Sequence, residues 1–236
     1  LGSGTVLIDR MDGSDPLVMS ERLVSWVRRG RAEALHRRGA PPSEIKRAEE
    51  ILDPEALTIG FARRVPSYKR LTLMLHDPER LAALLTDPQR PVQLVIAGKA
   101  HPADEPGKQL LQQVFSATED SSFGGRIAFV EDYDEQLAQY IVHGVDVWLN
   151  TPLPPLEACG TSGMKATHNG VMNFSVLDGW WIEGHIEGYT GWAIGHLPTE
   201  LTPGADADLR DSEDLYHKLE HTIIPLYYDD RRTWIR

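Results

Sequence analysis

The chain has 236 residues and is 41% hydrophobic, enough to bury the core of one large or two small domains, so disorder is not expected. Its 35 acidic against 24 basic side chains leave a net charge of −11, a surface that repels nucleic acid. No run approaches the ~18 apolar residues of a membrane span, residues 1–10 lack the pattern of a signal peptide, and a lone cysteine, Cys159, excludes an internal disulfide and favours a cytoplasmic setting.

In chain order, Val18, Leu23, Val24, Val27, Ala34 and Leu35 recur at helical spacing and predict a helix over 17–38. Arg28, Arg29, Arg31, Arg37 and Arg38 form its charged face, and Gly39, Pro41 and Pro42 end it. A second helix is expected near 43–52. Five short apolar runs follow at 57–62, 92–97, 126–130, 145–149 and 171–176. Most are continuously apolar, as strands buried on both faces are. Helical patterns separate them at 71–85, 106–116, 136–143 and 157–169, and a last helix spans about 212–227 with a break at Pro225. This alternation predicts an α/β fold, a Rossmann-like doubly wound parallel sheet. Ligands of such sheets bind where strands run into helices.

Four cations, Arg63, Arg64, Lys69 and Arg70, follow the first strand. In an acidic chain, such a cluster at a strand's carboxyl end suits a phosphate group; a surface cluster paired with acids is the alternative. After the fourth strand, Pro152, Pro154 and Pro155 impose an irregular loop. The segment 157–165 comes next, with Gly160, Thr161, Ser162 and Gly163 forming a small-residue turn able to cradle a phosphate or a sugar hydroxyl. Lys165 lies among small and apolar residues, where a lysine loses hydration and becomes able to form a Schiff base; a solvent-facing lysine is the plainer alternative. Tyr133 follows Glu131 and Asp132 after the third strand, and residues 98–102 after the second either line the cleft or turn the chain. His101, His143 and His168 have no metal-ligand spacing, so no metal site is expected. Trp180 and Trp181 stand beside these loops and serve either to stack on sugar rings or to fill space.

Taken together, Ile59-Gly60-Phe61-Ala62-Arg63-Arg64 with Tyr68-Lys69-Arg70, Gly98-Lys99-Ala100-His101-Pro102, Glu131-Asp132-Tyr133, the run 144–150 and the run 155–165 resemble the α-glucan (glycogen/maltodextrin) phosphorylases, closest in wording to their shorter bacterial and archaeal branch. The resemblance is continuous over about 57–195. It implies the C-terminal, cofactor-bearing half of a glycosyltransferase-B architecture, with 1–56 a helical segment and linker and 57–236 the pyridoxal 5′-phosphate domain. Lys165 matches the lysine that carries the cofactor as a Schiff base. Thr161, Ser162 and Gly163 match its phosphate turn, and Arg63 and Tyr133 match residues beside it. Arg64 and Lys69 match the catalytic pair that binds substrate phosphate. Glu157, with backbone groups near Cys159 and Gly160, matches the sugar site. Cys159 and Ser162 stand where the animal enzymes have serine and glycine.

The implied reaction is phosphorolysis of terminal α-1,4-glucosyl units of glycogen, starch or maltodextrin by inorganic phosphate, giving glucose 1-phosphate. The family's N-terminal domain has no counterpart upstream of Leu57, so the chain is expected to be a fragment with little activity alone, and any homo-oligomer belongs to the full-length protein. Two other functions stay open on the residues: a nucleotide-sugar-dependent glucan synthase, and a noncatalytic glucan-binding domain.

Overall fold

The computed structural model describes residues 16–64, 66–131, 133–195 and 205–234. The predictions for residues 1–10, Val65 and Asp132 lie outside these.

Six strands form one parallel sheet in the order β3-β2-β1-β4-β5-β6, with β1 Leu57–Arg64, β2 Val92–Lys99, β3 Ile127–Val130, β4 Val147–Asn150, β5 Met172–Val176 and β6 Gly191–Ile194. The doubly wound expectation holds. Strand order reverses between β1 and β4, which is where such sheets open a crevice. The register explains the opening: β1 pairs with β2 over its whole length, from Leu57 opposite Val92 to Arg64 opposite Lys99, but with β4 only at Ile59 opposite Val147 and Gly60 opposite Trp148. Beyond Gly60 the two strands part, and Arg63 stands at the mouth of the gap.

Both faces of the sheet are covered, which is why its strands read as continuous apolar runs. Leu57, Ile59, Phe61, Leu94 and Ile96 pack in a core with α3 (Pro78–Leu85) and the C-terminal helix α8 (Ala205–Lys218). Ala62, Val95, Ala97 and Ala128 face the opposite core with α1 (Pro16–Arg37), α5 (Glu135–Gly144) and α6 (Thr161–His168). Leu23 of α1 is fully buried there against Gly144, at which a β-carbon would collide with the leucine side chain. Leu23→Ala is therefore expected to cost about 2–5 kcal/mol, seen as a lower urea midpoint.

Several boundaries differ from the sequence pattern. The 71–85 pattern breaks into a 3₁₀ turn at Leu73–Leu75 followed by α3, because Pro78 suits the first helical turn and Asp77 caps it by accepting from the Arg80 N–H at 3.0 Å. The second helix, α2, stops early, at Pro42–Ala48. The C-terminal helix does not break at Pro225. A π turn at Leu219–Ile223 precedes it, and Pro225 sits in the first turn of Ile224–Asp229, where its missing N–H costs nothing. β6 was not anticipated.

Candidate active site at the β1 and β4 crevice

Two loops meet at the carboxyl ends of β1 and β4. After β1 the chain makes a 3₁₀ turn at Ser67–Lys69 and passes through Arg70 with φ of 45°. This segment is fastened to the loop after β4: the Leu153 N–H donates to the Tyr68 carbonyl at 2.7 Å, and the Thr151 hydroxyl donates to the Lys69 carbonyl at 2.8 Å. Arg70, buried, adds donation to the carbonyls of Thr151 (3.0 Å) and Pro152 (2.7 Å) and pairs with Asp208 (2.9 Å) and Asp211 (2.7 Å) of α8. The far end of the loop is held as well, since the Glu157 N–H donates to Asp178 Oδ2 at 2.9 Å and the Trp180 N–H to the Cys159 carbonyl at 2.9 Å. The side chains of 157–160 are thus placed by a rigid frame.

Three charged side chains converge inside that frame. Glu157 Oε2 accepts from Lys69 Nζ and lies 3.5 Å from Arg63 Nη1, while Arg63 Nη2 donates to Ser162 Oγ at 2.8 Å. The side chains are only 8% (Arg63), 10% (Lys69) and 12% (Glu157) exposed, so the cluster is largely shielded from water. Burial pushes the Arg63 guanidinium below its ordinary value and Glu157 opposes this; an arginine stays charged regardless. Aromatic rings support both cations, with Arg63 5.8 Å from the Phe61 ring centre and Lys69 4.8 Å from that of Tyr68. Tyr133 sits close by, its hydroxyl donating to the Ala62 carbonyl at 3.4 Å; burial pushes its phenol up, against the pull of Arg63.

The turn into α6 supplies the fourth side. Gly160, with φ of 87°, is the N-cap, a left-handed conformation that favours glycine, and no side chain caps the helix. The opening turn of a helix leaves N–H groups without intrahelical partners, and here Ser162 carries Arg63 beside them. Gly163 has a different role from the one expected of it. It is buried toward the sheet, its N–H donates to the Gly160 carbonyl at 3.1 Å, and a β-carbon there would lie 2.7 Å from Asn173 Oδ1. Gly163 lets α6 sit close on β5 instead of facing the crevice.

For Lys165 the structure agrees with the plainer of the two sequence readings, a solvent-facing lysine. The helical register turns Gly163 and Ala166 inward, which leaves Lys165 exposed on the outer side, so it keeps its hydration. It shares that side with Thr161, four residues earlier and likewise exposed. Cys159 is exposed, with Sγ 3.8 Å from Met164 Sδ. Arg64 closes β1 opposite Lys99; its side chain lies outside the described part of the structure. Trp181 is buried and Trp180 packs against Gly160, Gly163 and Gly184, so both fill space. His101 is exposed, and among the described residues no group of three metal-ligating side chains assembles.

Sequence reasoning gave no role to Asp178 or Asn173 and missed the clamping role of Arg70. Asn173 Nδ2 donates to the Gly163 carbonyl (3.2 Å) and the Thr167 hydroxyl (2.6 Å), and Oδ1 of both Asn150 and Asn173 is buried without a protein partner. An asparagine inside an apolar strand was the available signal. A separate cavity of about 720 Å³ opens at the opposite, amino ends of the strands. There Arg31 pairs with Glu119 at 2.5 Å, tying α1 to the helix Glu105–Glu119, and Arg28 donates to the carbonyls of Ile51 and Leu52, tying α1 to the loop before β1.

The crevice fits a phosphorylated cofactor bound through a lysine. Two shielded cations face a single carboxylate, an uncapped helix start adjoins Arg63, and the Lys165 amine stands free of the core one turn along the same helix.

A reversed-order parallel sheet with a cationic site at its switch point defines a Rossmann-like, doubly wound domain. In agreement, the C-terminal domain of a group 1 family glycosyl transferase from Francisella tularensis superposes with a TM-score of 0.53 at 18% identity, over 80% of this chain and 83% of that one, a likeness of fold alone. Residues 43–190 match the family described as carbohydrate phosphorylase, and the chain belongs to that family. The glycogen phosphorylase of Aquifex aeolicus is 53% identical over 209 residues, 89% of this chain and 30% of that protein. The maltodextrin phosphorylase of Thermococcus litoralis is 50% identical over 185 residues, 78% of this chain and 22% of that protein. The chain thus spans less than a third of the length of either relative.

Proposed function

We propose that residues 57–236 are the pyridoxal phosphate-bearing domain of a cytoplasmic α-glucan phosphorylase, preceded by a helical segment and linker within 1–56. The activity is cleavage of terminal α-1,4-glucosyl units by inorganic phosphate to give glucose 1-phosphate. The observation that carries this is the convergence of Arg63, Lys69, Glu157 and Ser162 at the switch point of a chain in the carbohydrate phosphorylase family.

The position of each residue supports the task assigned to it here. Lys165 would hold the cofactor through its amine, which helix register turns away from the core. Arg63 and the α6 start, with Thr161 and Ser162, would bind the cofactor's phosphate, and Tyr133, kept a neutral phenol by burial, would pack beside it. When bound, the cofactor supplies a phosphate whose second pKa of about 6 suits proton exchange with the substrate phosphate. Lys69, with Arg64 five residues before it, would hold that substrate phosphate and offset the repulsion between two anions. Glu157, with the backbone at Cys159 and Gly160, would accept and donate hydrogen bonds to sugar hydroxyls. No helix among the described residues is long and apolar enough to cross a membrane.

Mixing the chain with pyridoxal phosphate is expected to give a bound-cofactor absorbance band that survives dialysis and is lost in Lys165→Ala. Retention of the band in that variant would overturn the assignment of Lys165. Saturable binding of a nucleoside-diphosphate glucose, with no cofactor band, would favour a synthase instead.

A further inference from the structure

Arg63 and Lys69 come from β1 and the turn after it, whereas Glu157 comes from the loop 94 and 88 residues further on. Their meeting therefore depends on the assembled crevice. A carboxylate placed between two shielded cations satisfies them as a phosphate would. It also stands in a phosphate's way, because like charges at one desolvated site repel strongly. Glu157 and a phosphate dianion therefore compete for Lys69.

We infer that Glu157 is a built-in stand-in for phosphate. Its carboxylate holds Lys69 and Arg63 together while the anion position is free of phosphate, and an incoming tetrahedral phosphate dianion displaces it. The exchange needs only a side-chain rotation, because the backbone at Glu157 is anchored on Asp178 and that at 151–153 on Tyr68, Lys69 and Arg70. Displacement also turns the carboxylate free for a sugar hydroxyl, so the same residue serves both halves of the site in turn. This rests on the crevice being a phosphate site, as proposed above; the dianion is either inorganic phosphate or the phosphate monoester of the cofactor.

Calorimetric titration of the full chain with inorganic phosphate tests it. Glu157→Gln, which keeps the side-chain length and removes the competing charge, is expected to bind phosphate roughly tenfold or more tightly than the parent chain. Repeating the titration with pyridoxal phosphate in a Lys165→Ala background, with and without Glu157→Gln, shows which phosphate displaces the carboxylate, since only that ligand gains affinity. A second readout guards against loss of folding. Without phosphate, Glu157→Gln is expected to melt below the parent because two cations lose their counter-ion, and phosphate is expected to raise its melting temperature by more than it raises the parent's. Glu157→Asp, one methylene shorter, is expected to show the same direction in both assays.

A folded Glu157→Gln that binds both ligands no more tightly than the parent overturns the stand-in role, as does a phosphate-induced rise in melting temperature no larger than the parent's. The cofactor band separates this from the functional proposal. Loss of the Lys165-dependent band with tighter phosphate binding in Glu157→Gln refutes the function and keeps the stand-in; the band with unchanged phosphate affinity does the reverse.

Discussion

Arg70→Met is expected to destabilise the chain by about 3–5 kcal/mol, because removing one partner of a buried ion pair strands the other charges. Asp208 and Asp211 on α8 lose their cation, and the carbonyls of Thr151 and Pro152 lose their donors. Asp211 adds a pH signature. Burial holds the Asp211 carboxyl above the ordinary carboxylate range, with Arg70 opposing that rise. An acid whose folded value is raised contributes stability below its unfolded value and loses it as pH climbs through the folded one. Without Arg70 the Asp211 value moves further up, so the deficit of the variant is expected to be largest at neutral pH and to narrow on acidification. Urea midpoints measured from neutral pH down into the carboxylate range check this; a deficit that stays constant would show that Asp211 does not feel Arg70. Arg70→Lys is expected to rescue little, since an ammonium cannot reach two carbonyls and two carboxylates with one planar fork.

Arg70 also marks the boundary of what the sequence discloses. Its neighbours 63–69 were legible as a site because they follow an apolar run, and ligand contacts gather where parallel strands end. That Arg70 turns away from this site to clamp the 151–153 loop depends on its positive φ and on α8, 138 residues later. No local pattern carries such information. The pairing of Lys69 with Glu157 is hidden for the same reason. At Lys165 the sequence left two readings open: its neighbours are small and apolar, but helix register decides which of them face inward, and here Gly163 and Ala166 do. The strands buried on both faces were legible within about two residues at their starts, because the apolar runs are of strand length and alternate with helical patterns. The helix expected from Glu157 starts instead at Thr161, since Gly160 at φ of 87° cannot lie within it. β6 escaped notice because a four-residue strand led by glycine reads as a turn.

That leading glycine gives the other large expected effect. Gly191 adopts φ of 144°, and a β-carbon there would collide with the Asn173 carbonyl oxygen and lie 2.7 and 2.8 Å from the Asn173 C and N atoms. All of these are backbone atoms of β5, a neighbour that cannot rotate aside. Gly191→Ala is therefore expected to cost about 3–5 kcal/mol, combining backbone strain with loss of close β5–β6 pairing. The damage should reach the site, because the Asn173 side chain holds the Gly163 carbonyl and the Thr167 hydroxyl and so seats α6 on the sheet. Gly188→Ala separates the two causes: Gly188 has φ of 75° but open space where its β-carbon would go, so only the left-handed strain of about 1–2 kcal/mol applies. Thermal melts of both variants, with amide exchange followed in β5 and α6, give the comparison. Equal losses would mean that β6 yields to the new methyl group; a larger loss for Gly191→Ala, with faster exchange in α6, would trace the seat of the Lys165 helix to a glycine on the far side of the strand beneath it.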